Sequence, residues 1–139
     1  MKRLVLALLA FSVFGCQQSK MKKKVPATAF AKATAGEWAT VCMPRGAATY
    51  KDKVVLDGLS SGSISSQYFS DLNCTQAIEN KDAPIPFTYR SAEKSQARST
   101  IKLMMNGQNV VWDVTLSKSR KEMRIIKENG EVAYYYRVF

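Results

Sequence analysis

Two Asn-Gly pairs in the last third of the chain constrain its fold more than any other feature. Asn106-Gly107 separates two runs with a period of two: Ile101, Leu103 and Met105 before it, and Val110, Trp112, Val114 and Leu116 after it. Most intervening positions are polar, including Lys102, Asp113 and Thr115. Alternation of this kind marks a half-buried strand, and Asn-Gly supplies the two positive-φ residues of a tight hairpin turn. Asn129-Gly130 repeats the device between 122–128 and 131–138, and 117–121 is a polar turn joining the two hairpins. Four sequential strands with tight turns make an antiparallel meander.

The upstream pattern is also β. Strands are expected at 37–43, 50–57 and 62–70, with weaker signals at 74–79 and 86–90. Pro44-Arg45-Gly46, Asp57-Gly58 and Ser60-Ser61-Gly62 punctuate them. Pro84 and Pro86 cannot donate to a central ladder, so 84–90 is expected to be an edge strand or a loop. No helix of useful length is expected after residue 35. The fold class is therefore all-β, an up-and-down meander of about eight strands closed into a small barrel, with a β-sandwich as the alternative. A membrane barrel needs an apolar outer band. Here the faces opposite the core carry Lys102, Asp113, Thr115 and Arg124, so the apolar faces are expected to meet inside a soluble domain.

The chain of 139 residues contains no histidine. That removes the commonest general base, every Ser-His or Cys-His nucleophile pair, and histidine-ligated metal sites. No glycine-rich phosphate loop is present either. The sequence assigns no catalytic residue, no metal and no cofactor, and the expected function is non-enzymatic. Ser60-Ser61-Gly62-Ser63 is a loop with no base in reach.

The amino terminus has the parts of an export signal. Lys2 and Arg3 precede an apolar stretch from Leu4 to Phe14, too short to span a bilayer but suited to a signal core. Small Gly15 precedes Cys16. Val13-Phe14-Gly15-Cys16 resembles the lipobox of bacterial lipoproteins. The resemblance implies removal of 1–15, diacylglycerol on the Cys16 sulfur and acylation of its new amino terminus. Residues 16–35, with Lys20, Lys22, Lys23, Lys24 and Pro26, read as a basic tether, with a short alanine-rich helix over 27–35 as an option; 36–139 is the domain. The formal charge of +10 becomes +8 once Lys2 and Arg3 are removed and the amino terminus is acylated. Basic residues beside a lipid anchor add roughly 1 kcal/mol each on an anionic leaflet. Export makes nucleic acid the least expected anionic partner, and none is assigned. Gln17, where an aspartate would favour inner-membrane retention in Gram-negative bacteria, implies the cell envelope at the periplasmic face of the outer membrane or the cell surface.

With Cys16 given to lipid, Cys42 and Cys74 remain as an even pair. An oxidising compartment favours a disulfide between them, closing a loop worth roughly 3.7 kcal/mol in the chain-entropy model. Two buried free thiols are the rival.

Gly36-Glu37-Trp38 opens the first strand, and Arg137 lies in the last. Lipocalins open with a Gly-x-Trp whose indole is covered by an arginine from the last strands, and many bacterial members are lipid-anchored. Over 36–139 the chain resembles a short lipocalin-like barrel. An eight-stranded barrel is just wide enough inside to be filled or to hold one small apolar or amphipathic ligand, with Trp38, Tyr68, Met105, Trp112, Tyr134 and Tyr136 as candidate lining residues. Packing alone also accounts for the tyrosines of Tyr134-Tyr135-Tyr136 and for Trp38. Tyr135 and Arg137 are then the candidates for an outward patch. Lys118, Arg120, Lys121, Arg124 and Lys127 form a basic hairpin, read as a solvated rim or a contact for acidic glycan or headgroups. The alternative function is a structural lipoprotein with a solid core that meets an envelope protein through its surface.

Overall fold

The computed structural model describes residues 27–79 and 82–139. One helix, α1 (Ala29–Thr34), precedes nine strands: β1 (Gly36–Ala39), β2 (Met43–Arg45), β3 (Ala48–Leu56), β4 (Ser61–Phe69), β5 (Ile85–Ser95), β6 (Arg98–Met105), β7 (Gln108–Leu116), β8 (Glu122–Lys127) and β9 (Val132–Arg137). All pair antiparallel, and each strand from β3 to β9 neighbours the next in sequence. β1 pairs with both β9 and β3, which closes eight strands into a barrel. β2 is the extra strand, continuing the line of β1 along β3 after one inserted residue shifts the register.

The expected meander is present. Both Asn-Gly pairs sit in turns, and Ile101, Leu103, Trp112, Val114 and Leu116 all point into the core. Lys102 and Arg124 are exposed on the outer face, and Asp113 and Thr115 are half-buried there.

Two expectations are corrected. The 84–90 region is neither loop nor edge: β5 runs eleven residues in the middle of the sheet. Pro86 is tolerated because Tyr89 donates to Ser60, which puts odd positions of β5 against β4, while the first residue paired to β6 is Phe87. The missing amide of Pro86 thus falls beyond the β6 ladder. The 74–79 signal is a loop with a single bridge between Phe69 and Ala77.

The folded unit also reaches further back than residue 36. Thr28 caps α1 by accepting from the Ala31 amide at 3.2 Å. Phe30 is fully buried in the same cluster as Trp38, Leu56, Leu116 and Met123, so α1 plugs one end of the barrel. Trp38 lies under this plug, and its indole donates to the Thr34 carbonyl at 2.8 Å. The guanidinium of Arg137 sits 4.3 Å from the indole centroid, the contact expected from the Gly-x-Trp resemblance. It also donates to the carbonyls of Ala35, at 2.9 Å, and Ala33, which ties the last strand to the C-terminal end of α1. Gly58 is required here. Its φ is +77°, and a Cβ would lie 2.8 Å from that of Ala35. An expected result follows: Gly58→Ala lowers the melting temperature by several degrees, read by thermal unfolding, because α1 must lift off.

Candidate functional site

The two ends of the barrel differ. The closed end carries α1 and the 117–121 turn, whose Lys121 carbonyl accepts from the Arg137 amide. Lys118, Arg120 and Lys121 are exposed there. The other end is open. Its rim is formed by the 46–47, 106–107 and 128–131 turns and by the long connection between β4 and β5; Asp71, Glu79, Asp82, Glu128 and Glu131 are the described acids of these segments.

Side-chain size explains the opening. Inward positions in the closed half are filled by Trp38, Phe87, Trp112, Met123 and Leu116. On β3 and β4 the inward columns instead read Tyr50, Asp52, Val54, Leu56 and Gly62, Ile64, Ser66, Tyr68. Asp52 and Ser66 put short polar side chains midway along these columns, below Tyr50 and Tyr68 at the mouth, and space is left against them. The result is a recess of about 630 Å³ lined by Asp52, Ile64, Ser65, Ser66, Tyr68, Asp82, Ala83, Ile85 and Met105. That volume is in the range of small-molecule sites. A second recess of about 230 Å³ shares Asp52 and is walled by Thr40, Tyr50, Tyr135 and Lys127 among others.

The expected lining residues separate into three groups. Tyr68 and Met105 line the larger recess. Trp38 and Trp112 are buried in the core below it, the latter edge-on to Phe87 with ring centroids 5.9 Å apart. Tyr136 is a correction: it stands on the outer wall, 42% exposed, and Tyr134, 47% exposed on the same wall, reaches only the edge of the smaller recess. The register sets this, since Trp38 opposite Arg137 sends the odd positions of β9 inward. For the same reason Tyr135, a candidate for an outward patch, is 2% exposed inside the barrel.

A polar layer crosses this inner wall. Extending the β1–β9 register places Thr40 opposite Tyr135. Thr40 exchanges bonds with Asp52: its amide donates to the Asp52 carbonyl at 2.9 Å, and its hydroxyl accepts from the Asp52 amide at 3.0 Å. Asp52 pairs with Ser66, whose hydroxyl donates to the carboxylate at 2.5 Å. Sequence reasoning missed Asp52, Ser66, Thr40 and Tyr135. The signal was the period-two column of β3, where Asp52 is an acid between Tyr50 and Val54 on the inward face.

The rim is built by the disulfide and by one aspartate. Cys42 and Cys74 are bonded, joining the bulge between β1 and β2 to the β4–β5 connection. Asp71 accepts from the amides of Gln76, Thr75 and Asn73 and from the Thr75 hydroxyl, and these bonds hold its carboxyl down to about 2. A depressed folded value means that its contribution is complete above the ordinary value of 3.8 and is lost as pH falls toward about 2. Acidification from pH 5 to pH 2 should therefore loosen 70–77 before the barrel melts, seen as early loss of amide-exchange protection there. Asp71→Asn should show that loosening already at pH 5.

Among the described residues no group of three or more Cys, Asp or Glu side chains is placed to hold a metal ion, and no helix is long and apolar enough to cross a membrane. Cys16 and the signal lie outside the described residues. Compared with family models, curated proteins and solved structures, the chain matches none.

Proposed function

We propose that this is an exported, lipid-anchored protein of the cell envelope whose barrel binds a small apolar or amphipathic ligand in its open end. The observation that carries the reading is the recess of about 630 Å³, with Ile64, Ile85 and Met105 on the inner wall and polar groups beside them. An apolar wall with a few converging polar groups is the usual form of a small-molecule site. The anchor is carried by the Val13-Phe14-Gly15-Cys16 motif. The described chain enters at the closed end, where Lys118, Arg120 and Lys121 are exposed. A lipid at Cys16 then puts a basic surface toward an anionic leaflet and the mouth away from it.

Two experiments test the parts separately. Cys16→Ser should release a folded protein from the membrane fraction, because charged and polar side chains such as Lys102, Asp113, Thr115 and Arg124 interrupt the outer wall. A variant that stayed membrane-bound would defeat the anchor. For the site, the full chain in mild detergent should bind the neutral fluorophore N-phenyl-1-naphthylamine saturably at one site. Ile64→Trp, which fills the recess, should abolish that binding without lowering the melting temperature. Binding that survives the filled recess would defeat the assignment.

A second reading has its own observation. Val132, Tyr134, Tyr136, Val138 and Phe139 are all exposed along the outer side of β9 and the residues after it. Such a stripe suits an envelope protein docking on the wall, with the core serving only as scaffold. Crosslinking from Tyr136 in intact cells distinguishes the two: a specific adduct favours the docking wall.

A further inference from the structure

Asp52 is an ionisable side chain facing the interior of a barrel whose other half is filled with apolar groups. No cation is bonded to it among the described residues; its one side-chain hydrogen bond comes from the Ser66 hydroxyl. Tyr135 stands on the neighbouring wall of the smaller recess, which meets the larger one at Asp52, with Thr40 between them. Tyr135 is 2% exposed as a residue and lines the smaller recess, and no hydrogen bond joins its hydroxyl to another described residue. Buried polar groups are ordinarily satisfied, and those left open at a cleft mark the place of a ligand's polar atoms. Burial first, and then the charge of Asp52, hold the Tyr135 phenol well above its ordinary value, so it remains protonated and its oxygen can accept a hydrogen bond.

Resting on the binding reading above, we propose that the ligand is a cationic amphiphile: an ammonium head set against Asp52 and the Tyr135 hydroxyl, with its apolar body along Ile64, Ile85 and Met105. The chemistry fits on three counts. An ammonium has only donors, and Asp52 and Tyr135 offer it acceptor oxygens. A half-buried carboxylate at the recess wall repels an anionic head and gains no charge pairing from a neutral one. Tyr50 and Tyr68, with ring centroids 6.2 Å apart, stand beside Asp52 and present π faces of the kind that favour cations. Arg45 shows the preference, since its guanidinium lies 5.9 and 5.7 Å from those two rings and donates to the Tyr68 hydroxyl. Lys127, the described cation lining the smaller recess, is already paired to Glu131 at 2.7 Å. The acids of the rim add steering toward cations, in a chain whose overall charge is strongly positive.

The test is calorimetric titration of the full chain in mild detergent with octylammonium, octanol and octanoate, repeated on Asp52→Asn and Tyr135→Phe. A charge-assisted bond to a half-buried acceptor corresponds to about tenfold in affinity. Octylammonium should bind at least tenfold more tightly than either of the others. Asp52→Asn should erase that margin while leaving octanol unchanged, and Tyr135→Phe should reduce it several-fold. Melting curves of both variants confirm that they fold. If the three probes bind alike and Asp52→Asn changes nothing, the cation preference is overturned while the recess stands as a site. Tighter binding of octanoate overturns the preference outright. If none of the three binds, and N-phenyl-1-naphthylamine does not either, the binding reading falls with it.

Discussion

Trp38→Ala is expected to be among the most destabilising single substitutions in the protein, costing about 3–5 kcal/mol. The indole is fully buried between α1 and the barrel interior, so its removal leaves a cavity that the closed strands cannot collapse into. A domain of this size has only about 5–15 kcal/mol in hand. Chemical denaturation should show the loss as a lower midpoint at unchanged slope. Trp38→Phe separates the causes. It keeps most of the volume but removes the donor to the Thr34 carbonyl and weakens the stack under Arg137. Its cost should be about 1–2 kcal/mol. Arg137→Lys should cost a similar amount, since an ammonium cannot span the Ala33 and Ala35 carbonyls as the guanidinium fork does. The double variant should be less harmful than the sum, because each change removes part of the same contact. Additivity within about 0.3 kcal/mol would show that the indole and the guanidinium act independently.

What could be read beforehand follows the strength of the local pattern. β6 to β8 were legible because each has an apolar column of period two, and the hairpins because Asn-Gly marks their turns, although only Asn106-Gly107 has positive φ at both residues while at Asn129-Gly130 it is confined to the glycine. β5 was not: Pro86 argues against a ladder, and 91–95 reads Ser-Ala-Glu-Lys-Ser, which offers no apolar column. Its place between β4 and β6 comes from closure of the sheet, a constraint that no local window contains. α1 was visible as an alanine-rich stretch, but only the packing of Phe30 under the barrel makes it part of the fold. The recess was half legible. Tyr68 and Met105 were marked as lining. Asp52 was hidden because a charged residue between Lys51 and Lys53 reads as solvated until the register turns it inward. Tyr134 and Tyr136 were assigned to the wrong side because three successive tyrosines give alternation no contrast to work with.

Removing the disulfide should act on the mouth of the barrel and on the denatured chain together. Cys42 and Cys74 lie 32 residues apart, and the bond joins the bulge after β1 to the turn after β4. In the chain-entropy model, freeing a loop of that length costs roughly 3.7 kcal/mol. For a domain near 110 residues that is a fall of roughly 15 °C in melting temperature. The Cys42→Ala/Cys74→Ala double variant is the cleaner probe, since reduction leaves two thiols that can re-pair. Native exchange should locate the effect. Strands β6 to β9 share no contact with the bond and should keep their ranking of protection, whereas 40–50 and 70–78 should become the least protected segments. The same variant bears on binding, because Asp52 and Tyr50 are positioned by β3, to which β2 and the bonded bulge are paired. Affinity for N-phenyl-1-naphthylamine should therefore fall with the loss of protection in 40–50. Stability within about 1 kcal/mol of the parent would mean that the barrel ladders alone fix the mouth, and that the bond adds little once β1 has paired with β3.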